Sequence, residues 1–229
     1  MKLLVIDTST EWCSAALWLD GRILARRVLA EQRHSSLLLP MVDELLRESA
    51  TALVQLDGIG YGAGPGSFTG LRIACAVTQG LALGADLPVV GVSTLESIAE
   101  QTAADQVLAV LDARMAEVYW AAYRRSGTGW QCVTEPALAL PESVSVSEGG
   151  DWVGAGNGFI ALGAVLRPRL AAHLTRIDDT LMPDAAAMAG LAARAFERGE
   201  GMDAALAAPI YLRDKVALTI DERRAKRSA

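Results

Sequence analysis

Leu3-Leu4-Val5-Ile6-Asp7-Thr8-Ser9-Thr10 sets four large apolar residues before an aspartate and three hydroxyl-bearing residues. A short apolar run bounded by turn-forming residues predicts a buried strand that ends in a polar turn. Ser14-Ala15-Ala16-Leu17-Trp18-Leu19 and Ile23-Leu24-Ala25 follow, joined by Asp20-Gly21. Asp-Gly between two apolar runs predicts a hairpin, because both turn positions favour positive φ. The pattern then restarts. Val107-Leu108-Ala109-Val110-Leu111 ends at Asp112, 105 positions after Asp7, and Ala121-Ala122 repeats the pair Ala15-Ala16. A further strand signal at 130–133, the glycine loop Gly154-Ala155-Gly156-Asn157-Gly158 and an Ala-rich helix over 184–198 complete the second copy. Such a duplication predicts an α/β chain of two related lobes with a cleft between them: residues 1–101, residues 102–215, and a basic tail, 216–229.

Between these landmarks, Ser35 and Ser36 are placed to cap a helix over 35–49, with Pro40 tolerable in its first turn. A strand is expected at 57–61, then a glycine-rich loop, a helix over 69–85 and a short strand at 89–92. Ser93-Thr94-Leu95-Glu96 spells a capping box, in which the hydroxyl and the carboxylate each satisfy an orphan backbone donor.

Composition removes several classes of function. Hydrophobic types make up 52% of the 229 residues, but 40 of them are alanine, so the large apolar residues amount to an ordinary core with many small contacts. Mean hydropathy is +0.27, yet no charge-free apolar run reaches the ~18 residues of a membrane-spanning helix. The nearest, 73–85, is interrupted by Thr78, Gln79, Gly80 and Gly84. Asp7 and Glu11 fall too early for a secretory leader. Membrane insertion and secretion are therefore not expected. The formal charge of −6 and the scarcity of lysine argue against a nucleic-acid surface, which needs clustered cations. Cys13, Cys75 and Cys132 stand 62 and 57 residues apart, and only His34 and His173 are present, so neither a CxxC pair nor a His-rich metal centre is expected. An odd number of dispersed thiols suits the reducing cytoplasm.

Lobes that begin with a hydrophobic strand ending in Asp, followed by a hairpin, resemble the actin/Hsp70/sugar-kinase (ASKHA) ATPase fold. In that fold each first turn reads Asp-x-Gly and lets backbone amides approach nucleotide phosphates. The physical need is clear, since glycine permits close approach and a nest of N–H groups binds anions. Here the turns read Asp7-Thr8-Ser9 and Asp112-Ala113-Arg114. Both glycines are missing, so a side chain is expected where phosphate oxygens would sit. The nucleotide site reads as degenerate, and no cofactor is expected. Asp7 can equally serve only to end its strand and cap a turn. The 154–158 loop is similar to the adenosine loop of that fold and is expected to persist as architecture.

Gly64-Pro65-Gly66-Ser67-Phe68-Thr69-Gly70-Leu71-Arg72 is the most specific stretch, with three glycines and one proline in its first seven residues. Ser67 or Thr69 can cap the helix that follows, whose free N–H groups attract anions. No Lys-Ser/Thr follows at P-loop spacing, and Gly-x-Ser-x-Gly is not spelled. Asp7, Gly64, Gly66, Ser67, Thr69 and Arg72 are the anion or loop candidates; the plainer reading is a tight strand-to-helix connection.

Together with Leu4-Val5-Ile6-Asp7-Thr8-Ser9, His34-Ser35 opening a Leu-rich helix, and Pro209-Ile210-Tyr211-Leu212-Arg213, this loop resembles the TsaB (YeaZ) family. The matches run in order across nearly the whole chain. Members of that family are needed to make N6-threonylcarbamoyladenosine in bacterial tRNA. The resemblance implies a non-catalytic subunit that pairs with the catalytic paralogue TsaD and is joined by the ATPase TsaE. It implies contact with tRNA only through the complex. TsaD holds a metal through His-x-x-x-His, whereas His34 is followed four positions on by Leu38. Two alternatives stand beside this reading: an ATPase or small-molecule kinase of the same fold, and a peptidase acting on the paralogue. The first lacks the glycines of the phosphate turns, and the second lacks an identifiable His–acid pair.

Leu37, Leu38, Leu39, Met41, Val42, Leu45 and Leu46 are seven apolar residues in a span of ten. A surface helix needs three or four per two turns to cover its core. The surplus, matched in helix 69–85, predicts one face turned inward and one toward another chain. His34, Leu38, Met41, Leu45, Ala74, Val77 and Leu81 are the expected partner-interface residues, in a four-helix contact with the paralogue or, without it, with a second copy as a homodimer. The alternative is that both helices are sandwiched within their own lobe. Arg223-Arg224-Ala225-Lys226-Arg227 is the single basic cluster, expected to be solvated.

Overall fold

The computed structural model describes residues 1–147 and 150–213; the basic cluster at 223–227 lies outside the described residues. Strands β1 (Lys2–Asp7), β2 (Trp12–Leu19), β3 (Arg22–Leu29), β4 (Gly58–Gly64) and β5 (Val89–Ser93) form one sheet, in the order β3-β2-β1-β4-β5. Strands β6 (Gln106–Asp112), β7 (Val118–Ser126), β8 (Gly129–Ala139), β9 (Trp152–Ala155) and β10 (Leu174–Asp178) form the other, in the order β10-β9-β6-β7-β8. In each, the first three strands run antiparallel and the last two run parallel to the first. The second sheet thus repeats the first strand for strand. The β2–β3 turn places both Asp20 (φ 51°) and Gly21 (φ 94°) in the left-handed region, as the dipeptide predicts.

The duplication is less complete in the helices. Helix α1 (His34–Glu48) separates β3 from β4, whereas a 3₁₀ turn, Pro141–Ser143, stands between β8 and β9 among the described residues. Helix α2 (Phe68–Ala85) packs on β4. Helix α3 (Thr94–Glu100) follows β5, and the short helices α4 (Gly158–Ala161) and α5 (Gly163–Leu170) lie between β9 and β10. Helix α6 (Ala185–Glu197) follows β10. The last helix of each half joins the core of the other. Leu95, Ile98 and Ala99 of α3 pack with Val107, Ala109 and Leu111 of β6. Met188, Ala189 and Ala192 of α6 pack with Leu3 and Val5 of β1 and with Val90 and Val92 of β5. Arg194 of α6 pairs with Glu100 of α3 at 2.8 Å, and Trp130 donates to the same carboxylate at 2.6 Å. A division of the chain near residue 101 therefore separates each helix from the sheet it covers.

Close approach of α6 depends on β4. Its sequence Gly58-Ile59-Gly60-Tyr61-Gly62-Ala63-Gly64 alternates glycine with larger residues, so period two puts Gly58, Gly60 and Gly62 on one face, and a register shift after Gly62 turns Gly64 toward Leu71 and Ile210. A Cβ on Gly58, Gly60 or Gly62 would run into Phe196, Ala192 and the Asp7 carboxyl respectively, with Met188 next to the last. Met188, Ala192 and Phe196 are four residues apart on α6, so one helical stripe lies along one glycine stripe. Ile59, Tyr61 and Ala63 fill the opposite face, where the α1 and α2 core lies.

Capping differs in detail from expectation. Helix α1 starts at His34 behind Arg33, with no side-chain cap; the Ser36 hydroxyl instead donates to the Arg33 carbonyl at 2.9 Å. Ser93 accepts from the Glu96 N–H at 3.3 Å, but the reciprocal Glu96 bond is absent among the described residues. The Glu96 side chain lines a polar hollow with Arg194 and Arg198 instead.

Gly60→Ala is expected to lower stability by about 1–3 kcal/mol, because its Cβ would sit 2.9 Å from that of Ala192. Gly80→Ala, on an open face of α2 with nothing within 4 Å, should stabilise by about 0.5–1 kcal/mol. Denaturant melts of both variants check the pair.

Candidate interlobe site and partner surface

The two aspartate turns come together as the duplication requires. They face each other across an open cleft of about 560 Å³, lined on one side by Ser9, Thr10 and residues 65–68 and on the other by residues 111–115 and Asn157. The side chains expected to obstruct a phosphate do not lie as predicted. Ser9 is 1% exposed and turns its hydroxyl inward to donate to Asp7 Oδ2 at 3.0 Å. The Arg114 side chain is 83% exposed and pairs with Asp112 Oδ2 at 3.1 Å. What alters the turns is the use of their amides. Ser9 N–H donates to Asp7 Oδ1 (3.3 Å) and Arg114 N–H donates to Asp112 Oδ1 (2.8 Å), so each aspartate closes the turn that follows it. Arg114, Met115 and Ala116 then run through consecutive positive φ angles of 64°, 57° and 62°. Non-glycine residues adopt this path only where surrounding structure holds them.

The Asp7 carboxyl is completely buried. Burial pushes its pKa up to about 7 against the lowering effect of its two bonds from Ser9. Asp184 adds to the rise and Arg27 opposes it; those two form an ion pair at 3.2 Å. Asn157 Oδ1 accepts from the Asp112 N–H at 2.9 Å, tying the 154–158 loop to the second turn as architecture.

The 64–72 segment is fastened to the first turn by close backbone contact. Ser67 N–H donates to the Ser9 carbonyl at 2.7 Å, and Thr8 Oγ1 donates to the Gly70 carbonyl at 2.6 Å. A Cβ on Gly66 would lie 2.5 Å from the Ser9 carbonyl oxygen, and one on Gly70 would overlap that of Thr8. Glycine is therefore required at both positions. Ser67 caps α2 by accepting from Gly70 N–H at 3.3 Å, while Thr69 is exposed. Thr94 Oγ1 donates to the Pro65 carbonyl at 2.5 Å. Gly64, at φ 123°, lets residues 209–213 lie against β4: a Cβ there would be 2.8 Å from the Ile210 carbonyl.

That C-terminal strap was legible as a motif but not as a structure. Ile210 N–H donates to the Ala63 carbonyl at 2.7 Å, and the Tyr61 hydroxyl donates to the Ala208 carbonyl at 3.1 Å. Arg213 crosses to the other sheet, pairing with Glu117 at 2.6 Å and donating to the Ala113 carbonyl at 3.0 Å. The strap thus holds the strained second turn from outside.

A family model for TsaD, described as tRNA N6-adenosine threonylcarbamoyltransferase, matches residues 28–220. The chain is 42% identical to the tRNA threonylcarbamoyladenosine biosynthesis protein TsaB of Escherichia coli K12, over 95% of this chain and 96% of that one. The chain belongs to the TsaB family. It is also 35% identical to TsaB of Haemophilus influenzae, covering 94% of this chain and 95% of its relative. The solved structure of YeaZ from Pseudomonas aeruginosa superposes with a TM-score of 0.86 at 41% identity, covering 92% and 99% of the two chains. The two-lobe actin-like fold expected from the aspartate turns is the fold of this family.

On the TsaB-family chain, the expected interface residues fall mostly inside. Leu38, Leu45 and Ala74 are fully buried and Met41 nearly so; Leu38, Met41 and Leu45 belong to the core shared by α1, α2 and the first sheet. Their three- and four-residue spacing marked the inward face of each helix. A side chain already enclosed by its own lobe offers nothing to a partner. Val77 and Leu81 are half-buried. His34 is buried too, its Nε2 bonded to the Thr10 carbonyl at 2.9 Å, so it fastens the start of α1 to the first turn. Beyond Arg72, the exposed positions of α2 are Ala76, Gly80, Leu83 and Gly84, in a stretch with no charged residue before Asp86. That helix is long and apolar enough to cross a bilayer by length and composition, but a third of it is buried in its own lobe. Among the described residues, no three His, Cys, Asp or Glu side chains converge on a metal-sized site.

Asp7 binds its proton more tightly folded than unfolded, where its ordinary value is 3.8. Its contribution is therefore most favourable below about pH 4 and is lost as pH rises to about 7. Asp7→Asn has no proton to lose. Its melting temperature relative to the parent chain should climb between those pH values and level off above them, which thermal melts across the range check.

Proposed function

We propose that this chain is a non-catalytic subunit of the cytoplasmic machinery that makes N6-threonylcarbamoyladenosine in tRNA. In this reading it binds and supports a TsaD-like catalytic paralogue, with a TsaE-like ATPase joining them. The observation that carries the reading is the pair of closed aspartate turns. The Ser9 and Arg114 amides of these two turns are engaged by Asp7 and Asp112, and a nest with occupied donors is a poor cradle for phosphate. His34 is held by a backbone carbonyl, with Leu38 buried four residues on. The relatives' names supply the pathway.

The partner surface in this reading is the outer face of α2. An uncharged apolar strip on an otherwise acidic chain suits protein contact, and its small residues Ala76, Gly80 and Gly84 allow close helix approach. Without the paralogue, the same strip pairs two copies of this chain.

The purified chain should show no threonylcarbamoyl transfer alone and should restore transfer when added to the other pathway proteins; full activity without it would refute the reading. Calorimetry should find ATP binding to the isolated chain weak or undetectable, and micromolar affinity abolished by Asp7→Ala would contradict it. Gly80→Glu has open space for its side chain, so the monomer should keep its circular dichroism. A charge desolvated without a counter-charge costs several kcal/mol, and gel filtration should show the complex with a TsaD-like partner lost.

A further inference from the structure

Phe68 and Tyr211 stand at the mouth of the interlobe cleft, 36% and 43% exposed. Arg72, one helical turn beyond Phe68, holds its guanidinium carbon 3.7 Å from the Phe68 ring centre. Its Nε donates to the Tyr211 hydroxyl at 2.8 Å, and the two rings are 5.4 Å apart. One face and one edge of the guanidinium are therefore fixed. None of the ion pairs formed by the other arginines includes Arg72, and its two terminal nitrogens have no hydrogen-bond partner among the described residues. A stacked, pre-ordered guanidinium loses little rotamer freedom on binding and presents a fork that matches a carboxylate. Ile210, 49% exposed and also on the cleft, adds an apolar contact beside it.

A nucleic-acid backbone is the wrong complement for this rim. Glu11 and Glu31 line the adjoining cleft, its arginines Arg114 and Arg213 are paired with Asp112 and Glu117, and the chain's formal charge is −6, whereas phosphate chains require clustered cations. One guanidinium among apolar rings matches one carboxylate beside an apolar side chain. Aromatic and arginine anchors of this type dominate protein interfaces.

We propose that the Phe68–Arg72–Tyr211 rim receives an acidic side chain of a partner polypeptide. Its carboxylate sits on the two Arg72 Nη atoms, and a neighbouring apolar side chain lies on Phe68 and Ile210. This rests on the reading of the chain as a partner subunit and names the chemistry of the partner, at the N-terminal end of α2, one helical turn before the strip that begins at Ala76.

Fluorescence anisotropy of the full chain with a labelled peptide alternating leucine and glutamate tests the proposal. The same peptide with glutamine for glutamate and a short labelled oligouridylate serve as the other probes. The glutamate peptide should bind, the glutamine peptide about tenfold more weakly, and the RNA more weakly still. Arg72→Gln keeps a donor for Tyr211 but loses the charge. It should weaken the glutamate peptide about tenfold, while hydrogen exchange at the Ile210 amide stays as slow as in the parent chain. The proposal is overturned if the glutamate peptide does not bind, if the glutamine peptide or Arg72→Gln binds equally well, or if the RNA binds more tightly. Faster exchange at Ile210 accompanying lost binding would also overturn it, since Arg72 would then act only through the strap. Complex formation with the paralogue is read separately with Gly80→Glu, two turns further along the same face; a failed peptide test beside an intact complex overturns this proposal and leaves the subunit reading standing.

Discussion

The bare face of β4 is the constraint on which the molecule rests. Three glycines on one side of a central strand let α6 lie almost against the backbone, with Met188, Ala192 and Phe196 laid along them. The same alternation leaves room beside Gly62 for the Asp7 carboxyl, so the strand that admits the helix also admits the buried charge at the end of β1. Dense packing of this kind tolerates little change in volume. The position of α6 in turn brings Arg194 to Glu100 and links the two sheets through α3.

The cleft expresses a second constraint, on backbone hydrogen bonds. Backbone amides seek acceptors, and in both turns the acceptor is the aspartate that ends the preceding strand. The 64–72 loop then takes the remaining Ser9 carbonyl, and the strap takes the Ala113 carbonyl. It is the aspartates, and not the side chains of Ser9 and Arg114, that engage the amides of these turns. A side-chain identity at a glycine position tells that glycine's freedom is gone; it does not tell which way the new side chain points.

The sheets were legible because their signals are local. Apolar runs ending in Asp7 and Asp112, and the Asp20-Gly21 turn, each specify an element from a few neighbouring residues. The direction of a helix face is not local in this sense. Leu38, Leu45 and Ala74 stood at the right spacing for a stripe, but spacing cannot distinguish a stripe facing its own sheet from one facing another chain. The small residues Ala76, Gly80 and Gly84 lie on the face of α2 that its own lobe leaves exposed. The alternation of glycines from Gly58 to Gly64 was visible and unread, since its meaning depends on a helix more than a hundred residues away. Arg213 and Glu117 meet only because the strap returns, and no short-range pattern announces that pairing.

The reciprocal placement of α3 and α6 bears on how the chain is made. Strand β4 leaves the ribosome roughly 120 residues before the helix that covers it, and synthesis proceeds at about 5–20 residues per second. For several seconds or more, the glycine face of the first sheet has no cover of its own. The N-terminal half cannot mature as an independent unit during translation; it waits for the C-terminal half, and the two close together. A chain cut short before residue 185 would leave the apolar floor of its first sheet open to whatever else is in the cell.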